Sequence, residues 1–274
     1  MNLIIIILVI FIFVFLYEII YRCGDIIKNY LKKEKCNNFP FKIYNFEYVS
    51  LKKFRELTMS SKPILFKNVL KNKIKFTDFC KILSAKPIKA RYGNYGDVEG
   101  RKNRMFKDYT IRDLCNNINK SSQYGGNNVI NEKEQTNVNL NLNSSQIKIL
   151  RTGRLWIGPK GSQTPLHKDV PFNLSLQIYG RKEWLFFDVV DNVNLCFNEN
   201  SNKLEWSNYV IGEEKTCLNA KYTKMFKIVM MPGDMLFLPP QWAHQVRNLE
   251  NSIMINYWFK EEDGYEIDAH MVNN

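Results

Sequence analysis

The apolar positions of this chain change period along its length. Residues 3–16 are unbroken apolar, and Tyr17, Ile19 and Ile20 extend the run past a single Glu18. Between residues 42 and 119 short segments alternate. Residues 63–66 and 88–92 predict short strands, while residues 76–83 and 110–118 carry apolar side chains at helical spacing. Thr110 with Asp113 reads as a capping box at the start of the second helix. Residues 121–143 are rich in Asn, Ser, Gly and Gln without an apolar period, which predicts a low-complexity loop insertion carrying no site residue. From Arg154 onward the period becomes two. Leu174, Leu176 and Ile178 alternate with Ser175 and Gln177, Gly180 marks a turn, and residues 182–187, 226–231, 235–238 and 253–259 predict further strands. Residues 192–223 read as a polar excursion between strands. Many short strands with Gly and Pro turns predict a mainly β sandwich or barrel, with an antiparallel jelly roll as one standard solution.

The N-terminal run, residues 3–21, just reaches the roughly 20 apolar residues that a bilayer core demands. A cleaved signal peptide would carry basic residues before the run and small residues after it. Here Met1 and Asn2 precede it, and Tyr21 and Arg22 follow. The expectation is therefore a retained transmembrane helix over residues 1–21, ahead of a signal peptide or a buried core helix. Arg22, Lys28, Lys32, Lys33 and Lys35 make residues 22–37 a basic juxtamembrane linker. Positive flanks stay on the cytoplasmic side, which places the following domain, residues 38–270, in the cytosol. The endoplasmic reticulum lumen or the secretory pathway is the alternative.

Composition adds less. Hydrophobic residues make up 45% of the 274, enough for one large core. The formal charge of +12 comes from lysines scattered among asparagines, with no compact basic and aromatic cluster. That argues for a solvated surface over a nucleic-acid site. No pair among the six cysteines has Cys-x-x-Cys spacing, which argues against zinc ribbons and thioredoxin-type chemistry. Their irregular spacing predicts free thiols in a reducing compartment, although an even count leaves a secreted form open.

The candidate chemistry rests on few residues. Of the three histidines, His270 near the polar tail reads as a surface residue. His167 and Asp169, two apart on a strand, share a face, and a distant strand can bring His244 to them. Two imidazoles and one carboxylate leave open coordination positions, an arrangement that suits non-haem Fe(II). Alone, a His-x-Asp is as compatible with ordinary surface or core histidines. Lys182 shares a strand face with Trp184 and Phe186, so it is either a buried cation in need of an anion or a strand-end lysine reaching water. Asn256, between Met254 and Trp258 on one face, reads as a buried amide with a hydrogen-bonding duty to a ligand or a loop. Thr164 is a candidate ligand hydroxyl or an ordinary turn residue.

At these residues the chain resembles the JmjC and cupin-like 2-oxoglutarate oxygenases, in their small hydroxylase branch. The family stretch appears as Thr164-Pro165-Leu166-His167-Lys168-Asp169, followed by Asn173, Gln177, Gly180 and Lys182. A later stretch appears as Pro232-Gly233-Asp234, Pro239-Pro240-Gln241-Trp242-Ala243-His244, then Asn256 and Trp258. The resemblance implies a double-stranded β-helix with flanking helices, Fe(II) on His167, Asp169 and His244, and 2-oxoglutarate and dioxygen as cosubstrates. It implies that Lys182 and Thr164 hold the far carboxylate of 2-oxoglutarate and that Asn173 and Asn256 line its pocket. The implied activity is hydroxylation of a protein or peptide side chain. The alternatives are N-methyl-lysine demethylation, a non-catalytic membrane-tethered binding module, and a zinc-dependent hydrolase on the same barrel. The sequence does not specify oligomeric state.

Overall fold

Alternation between two buried environments organises this protein. The computed structural model describes residues 41–92, 105–120, 123–144, 152–197 and 204–259. The expected membrane helix over residues 1–21, the linker over 22–37 and His270 lie outside them. Among the described residues no helix is long and apolar enough to cross a membrane.

Two sheets face each other. The larger holds nine strands in the order β1 (Lys42–Asn45), β2 (Ile64–Lys67), β12 (Met235–Leu238), β8 (Phe172–Tyr179), β14 (Ser252–Phe259), β6 (Gly153–Gly158), β5 (Tyr124–Ile130), β3 (Pro87–Tyr92) and β4 (Met105–Thr110). The smaller holds five, in the order β10 (Leu204–Trp206), β7 (Gln163–Asp169), β13 (Ala243–Asn248), β9 (Lys182–Phe187) and β11 (Met225–Met230). From β6 onward consecutive strands fall in both sheets, as a jelly roll requires.

Side chains of both sheets meet in one cluster. Trp184, Phe186, Phe226, Ile228 and Val246 come from the small sheet, and Leu65, Leu236, Leu238 and Met254 from the large one. Trp184 and Phe186, both on the inner face of β9, are essentially inaccessible to solvent. Phe187 points the other way, into a second cluster with Leu166, Leu195, Tyr209 and Ala220 that covers the outer face of the small sheet. The outer face of the large sheet packs under α1 (Leu51–Leu57), α2 (Phe76–Ile82) and α3 (Ile111–Asn116) through Phe54, Phe79, Ile111 and Leu114. Thr110 caps α3 with the expected reciprocal box to Asp113.

Three expectations are corrected. Residues 121–143 are not a featureless loop: they contain β5 and α4 (Glu132–Asn137), the latter started by a capping box between Asn131 and Glu134. Composition disguised the strand because its glycines answer to packing. A Cβ on Gly125 would stand 3.0 Å from Ile157 and 3.3 Å from Ile88 and Leu114, and one on Gly126 would stand 2.7 Å from Trp156. The excursion over residues 192–223 contains β10, which pairs with β7 and places Trp206 opposite His167. Finally, four cysteines are paired rather than free. Cys80–Cys115 joins α2 to α3, and Cys196–Cys217 closes the excursion. Helix packing and loop return brought these pairs together, and sequence spacing carries no trace of either.

Candidate metal and cosubstrate site

His167 and His244 are direct partners across the antiparallel pair β7–β13, so their side chains leave the same face of the small sheet. Asp169, two residues after His167, shares that face. The three ligand atoms lie within 4.8 Å of one another, and all three residues are buried. His167 Nε2 is 4.0 Å and His244 Nε2 3.9 Å from the carboxylate oxygens of Asp169, too far for hydrogen bonds between them. The three groups converge without satisfying one another.

The backbone sets the tautomers. His167 Nδ1 lies 2.8 Å from the carbonyl of Pro165, and His244 Nδ1 2.9 Å from that of Trp242. A carbonyl only accepts, so each Nδ1 carries the hydrogen and each Nε2 turns a lone pair inward. This is the usual support of a metal-binding imidazole. Burial pushes His244 below its ordinary value and keeps it neutral, against the opposing pull of Asp169. Burial pushes the Asp169 carboxyl upward, opposed by His244 and by the hydrogen bond from Asn173. Asn173 Nδ2 donates to Asp169 at 3.2 Å, and Ser175 in turn donates to Asn173 at 3.0 Å. Asn173 thus orients the carboxylate as well as lining the cavity. The backbone N–H of Gln241, at a positive φ of 66°, donates to the Asp169 carbonyl and ties the β12–β13 turn to the end of β7. Trp242 anchors the same turn through its indole N–H to Ser61.

A cavity of about 470 Å³ opens over these ligands, lined among others by Thr164, Asn173, Asn256, Met254 and Trp258. Thr164 faces it because β7 is bulged. Three residues separate Thr164 from His167, yet their partners Val246 and His244 on β13 are two apart. The extra residue restores Thr164 to the inner face, where unbroken alternation would have turned it outward. Trp206, the β10 partner of His167, lies against its ring on the same inner face at 4.9 Å between centroids.

Lys182 settles into the core rather than reaching water. It is fully buried on β9, its Nζ has no hydrogen-bond partner, and burial brings it down to about 7. It does not itself line the cavity wall. Asn256 Oδ1 is likewise buried without a partner. Such groups are costly unless a ligand completes them. An unpaired buried amine on the sheet that also carries two imidazoles and a carboxylate fits a divalent metal with an anionic cosubstrate. The other motif polar residue, Gln177, is structural: its amide N–H groups bind the carbonyls of Tyr179 and Gly180 and the Ser252 hydroxyl, holding the turn into β9.

Several cavity-lining residues were missed from sequence, Tyr124 among them. Tyr124 of β5 is buried and lines the cavity together with Thr164. The available signal was an aromatic residue immediately before Gly125-Gly126 in a polar stretch, where close packing of a strand was the alternative to a loop.

Comparison with known proteins agrees with this geometry. Residues 50–265 match the family described as a cupin-like domain. JmjC domain-containing protein C of Dictyostelium discoideum is 39% identical over 123 residues, 40% of this chain and 29% of that protein. The 2-oxoglutarate and iron-dependent oxygenase JMJD4 of Danio rerio is 33% identical over 112 residues, 38% of this chain and 25% of that protein. Lysine-specific demethylase JMJ30 of Arabidopsis thaliana is 29% identical over 118 residues, 41% and 27% respectively. The matched region spans less than a third of each of these relatives. With the match covering most of its length, the chain belongs to the cupin-like domain family, alongside the JmjC oxygenases that use Fe(II), 2-oxoglutarate and dioxygen.

Proposed function

We propose that this protein hydroxylates a protein or peptide side chain. His167, Asp169 and His244 hold Fe(II), and Lys182, Thr164, Asn173 and Asn256, with Tyr124, hold 2-oxoglutarate. The observation that carries the reading is the buried, unpaired Lys182 amine in the same inner layer as the three converging ligands. A zinc hydrolase would leave that amine without a duty, and a binding module would have no use for the triad. When bound, the metal and cosubstrate supply dioxygen activation coupled to decarboxylation of 2-oxoglutarate to succinate. The chain's own part is geometric and electrostatic. The backbone carbonyls of Pro165 and Trp242 hold the Nε2 lone pairs inward, Asn173 fixes the carboxylate, and Lys182 offers charge to a carboxylate. The inner cluster around Trp184 and Met254 excludes water. Demethylation of N-methyl-lysine is the second reading, favoured by the demethylase names among the relatives. The test is succinate formation from 2-oxoglutarate with Fe(II) and ascorbate against His167→Ala. Formaldehyde release from methylated peptides would identify demethylation, and no succinate above the control would refute both readings.

Location is a further proposal. The two disulfides support the oxidising alternative, the endoplasmic reticulum lumen or secretory pathway, over the cytosol. The N-terminal run remains the proposed membrane anchor. Alkylation of native protein before and after reduction tests the first: four cysteines reactive without reductant would refute it. Release of the full chain by alkaline carbonate would refute the second.

A further inference from the structure

The two candidate metal-binding imidazoles belong to a row of rings that crosses the small sheet. Trp206, His167, His244, Phe186 and Phe226 are successive cross-strand partners over its five strands, so their side chains leave one face. Each imidazole has an indole against it. Trp184 stacks on His244 at 5.5 Å between centroids, with 22° between the planes. Trp206 lies against His167 at 4.9 Å and 31°. The imidazoles are themselves 4.1 Å apart.

The two indoles are held differently. Trp184 is buried on β9, which has β13 on one side and β11 on the other. Trp206 is half-buried at the end of β10, a three-residue strand at the edge of the sheet. That strand pairs with His167, Lys168 and Asp169, so whatever secures β10 bears on two of the three ligands. Contacts beyond the ladder secure it. Lys168 Nζ lies 2.8 Å from the Glu205 carboxylate and 4.8 Å from the centroid of the Phe197 ring. The Ser207 N–H donates to the Leu166 carbonyl at 3.1 Å, and its hydroxyl donates to the Leu195 carbonyl. The Asn208 N–H donates to the Cys196 carbonyl at 2.9 Å. The chain on either side of Trp206 is thus tied to residues 195–197, and Cys196 is bonded to Cys217. Cys217 is buried with Leu166, Phe187 and Ala243 on the outer face of the small sheet. The disulfide therefore fastens the segment that carries Trp206 to the sheet that carries the ligands.

We propose that Trp206 is a positioning residue for the metal ligand His167, and that the Cys196–Cys217 disulfide keeps it in place, so that metal affinity falls when either is removed. The inference rests on the metal reading of the same triad. The Pro165 carbonyl fixes His167 at Nδ1 only, and a ring held at one atom can still rock about that bond. An indole against the ring face removes that freedom, as Trp184 does for His244. Groups that orient a ligand without touching the metal change its affinity by about 10- to 100-fold. Loss of Trp206 leaves all three ligand atoms on the chain, so affinity falls while the number of bound ions stays the same. Reduction of Cys196–Cys217 acts through the same ring and is therefore a signal that the metal site can read.

The test uses the full chain, oxidised and free of cosubstrate. The Kd for Mn(II) is read from the paramagnetic resonance signal of the unbound ion, and the ligand-field spectrum of bound Co(II) is recorded for each variant. Trp206→Ala should weaken Mn(II) about tenfold and shift the Co(II) spectrum, and Trp206→Phe, which keeps a ring there, should restore both. Cys196→Ser/Cys217→Ser should weaken Mn(II) in the same direction, while Cys80→Ser/Cys115→Ser, which removes the other disulfide, should leave it unchanged. Combining Trp206→Ala with Cys196→Ser/Cys217→Ser should add nothing to the loss from Trp206→Ala alone, because both act through one contact. If the Cys196→Ser/Cys217→Ser chain fails to fold, reducing the folded Cys80→Ser/Cys115→Ser protein gives the same comparison. An unchanged Kd in Trp206→Ala, no rescue by Phe, equal loss on removing either disulfide, or additive losses in the combined variant would overturn the proposal. Wild-type binding that does not differ from a His244→Ala control refutes the metal reading and this inference with it. Wild-type binding that depends on His244 but is indifferent to Trp206 refutes this inference alone.

Discussion

Replacing Lys182 by Met should stabilise the ligand-free protein and abolish its response to 2-oxoglutarate. Burial lowers the Lys182 amine from 10.5 to about 7, and no hydrogen bond compensates it. The unfolded chain keeps that lysine protonated up to 10.5, while the folded chain releases the proton above about 7. Between those values the unfolded state binds more protons, so stability rises with pH, and below about 7 the full penalty stands. At 1.36 kcal/mol per pH decade, the amine costs the folded state about 4 kcal/mol at pH 7. Met keeps the stem that packs beside Met230 and Asn248 and removes the charge. For a chain of this size that corresponds to a rise in melting temperature of about 10 °C. Differential scanning fluorimetry at pH 6, 7 and 8.5, with and without 2-oxoglutarate and Mn(II), reads both effects. The wild type should gain stability with pH and with 2-oxoglutarate, and the variant should be flat in both. A variant less stable than wild type at pH 7 without ligand, or one still stabilised by 2-oxoglutarate, would refute the assignment of Lys182 as an anion-seeking cation.

Three further outcomes follow from the geometry. Asn173→Ala, which frees the Asp169 carboxylate, should weaken Mn(II) binding about tenfold and His244→Ala more than a hundredfold, by the order in which supports and ligands contribute; equal effects in isothermal titration would show that the cation sits elsewhere. Gly158→Ala builds a Cβ 2.3 Å from Tyr124 Cδ2 and must displace a ring that lines the cavity with Thr164. The KM for 2-oxoglutarate should rise while metal affinity holds, and an unchanged KM would remove Tyr124 from the cosubstrate pocket. The disulfides close separations of 35 and 21 residues. Chain-entropy arguments put each at about 3–4 kcal/mol, so reductant should lower the urea midpoint markedly, and an unmoved midpoint would argue against both pairs.

Much of the fold was legible because alternation survives where one strand face is buried. The strands around Leu174–Ile178 and Trp184–Phe186 showed their period plainly, and β8 and β9 lie where it placed them. The convergence of His167 and Asp169 was legible for the same reason: residues two apart need only a strand beneath them. What was not legible came from packing between distant segments. Gly125 and Gly126 read as loop glycines, and only the side chains of Ile157, Leu114 and Trp156 above them explain why a strand there must lack a Cβ. Nothing local to Cys80 or Cys115 announces that α2 and α3 pack together. Trp206 sits in a polar excursion, and its place on His167 depends on β10 returning to the edge of β7.

The two bulges explain why the site is richer than strict alternation allows. In a regular β7, a face that offers His167 and Asp169 would also offer residue 165, and Thr164 would point to the outer cluster with Leu166. The extra residue in β7 gives the inner face both the His167 imidazole and the Thr164 hydroxyl, while Leu166 still fills the outer core and the Pro165 carbonyl is left to hold His167 Nδ1. The bulge in β5 does the converse on the opposite wall. It ends the ladder to β3 at Ala90–Gly125, and the Asn128 side chain then holds the backbone of Lys89 while the Tyr124 and Trp156 rings lie against the Arg91 guanidinium. One irregularity thus brings Thr164 to the cavity and the other shapes the wall that β3 and β5 give it.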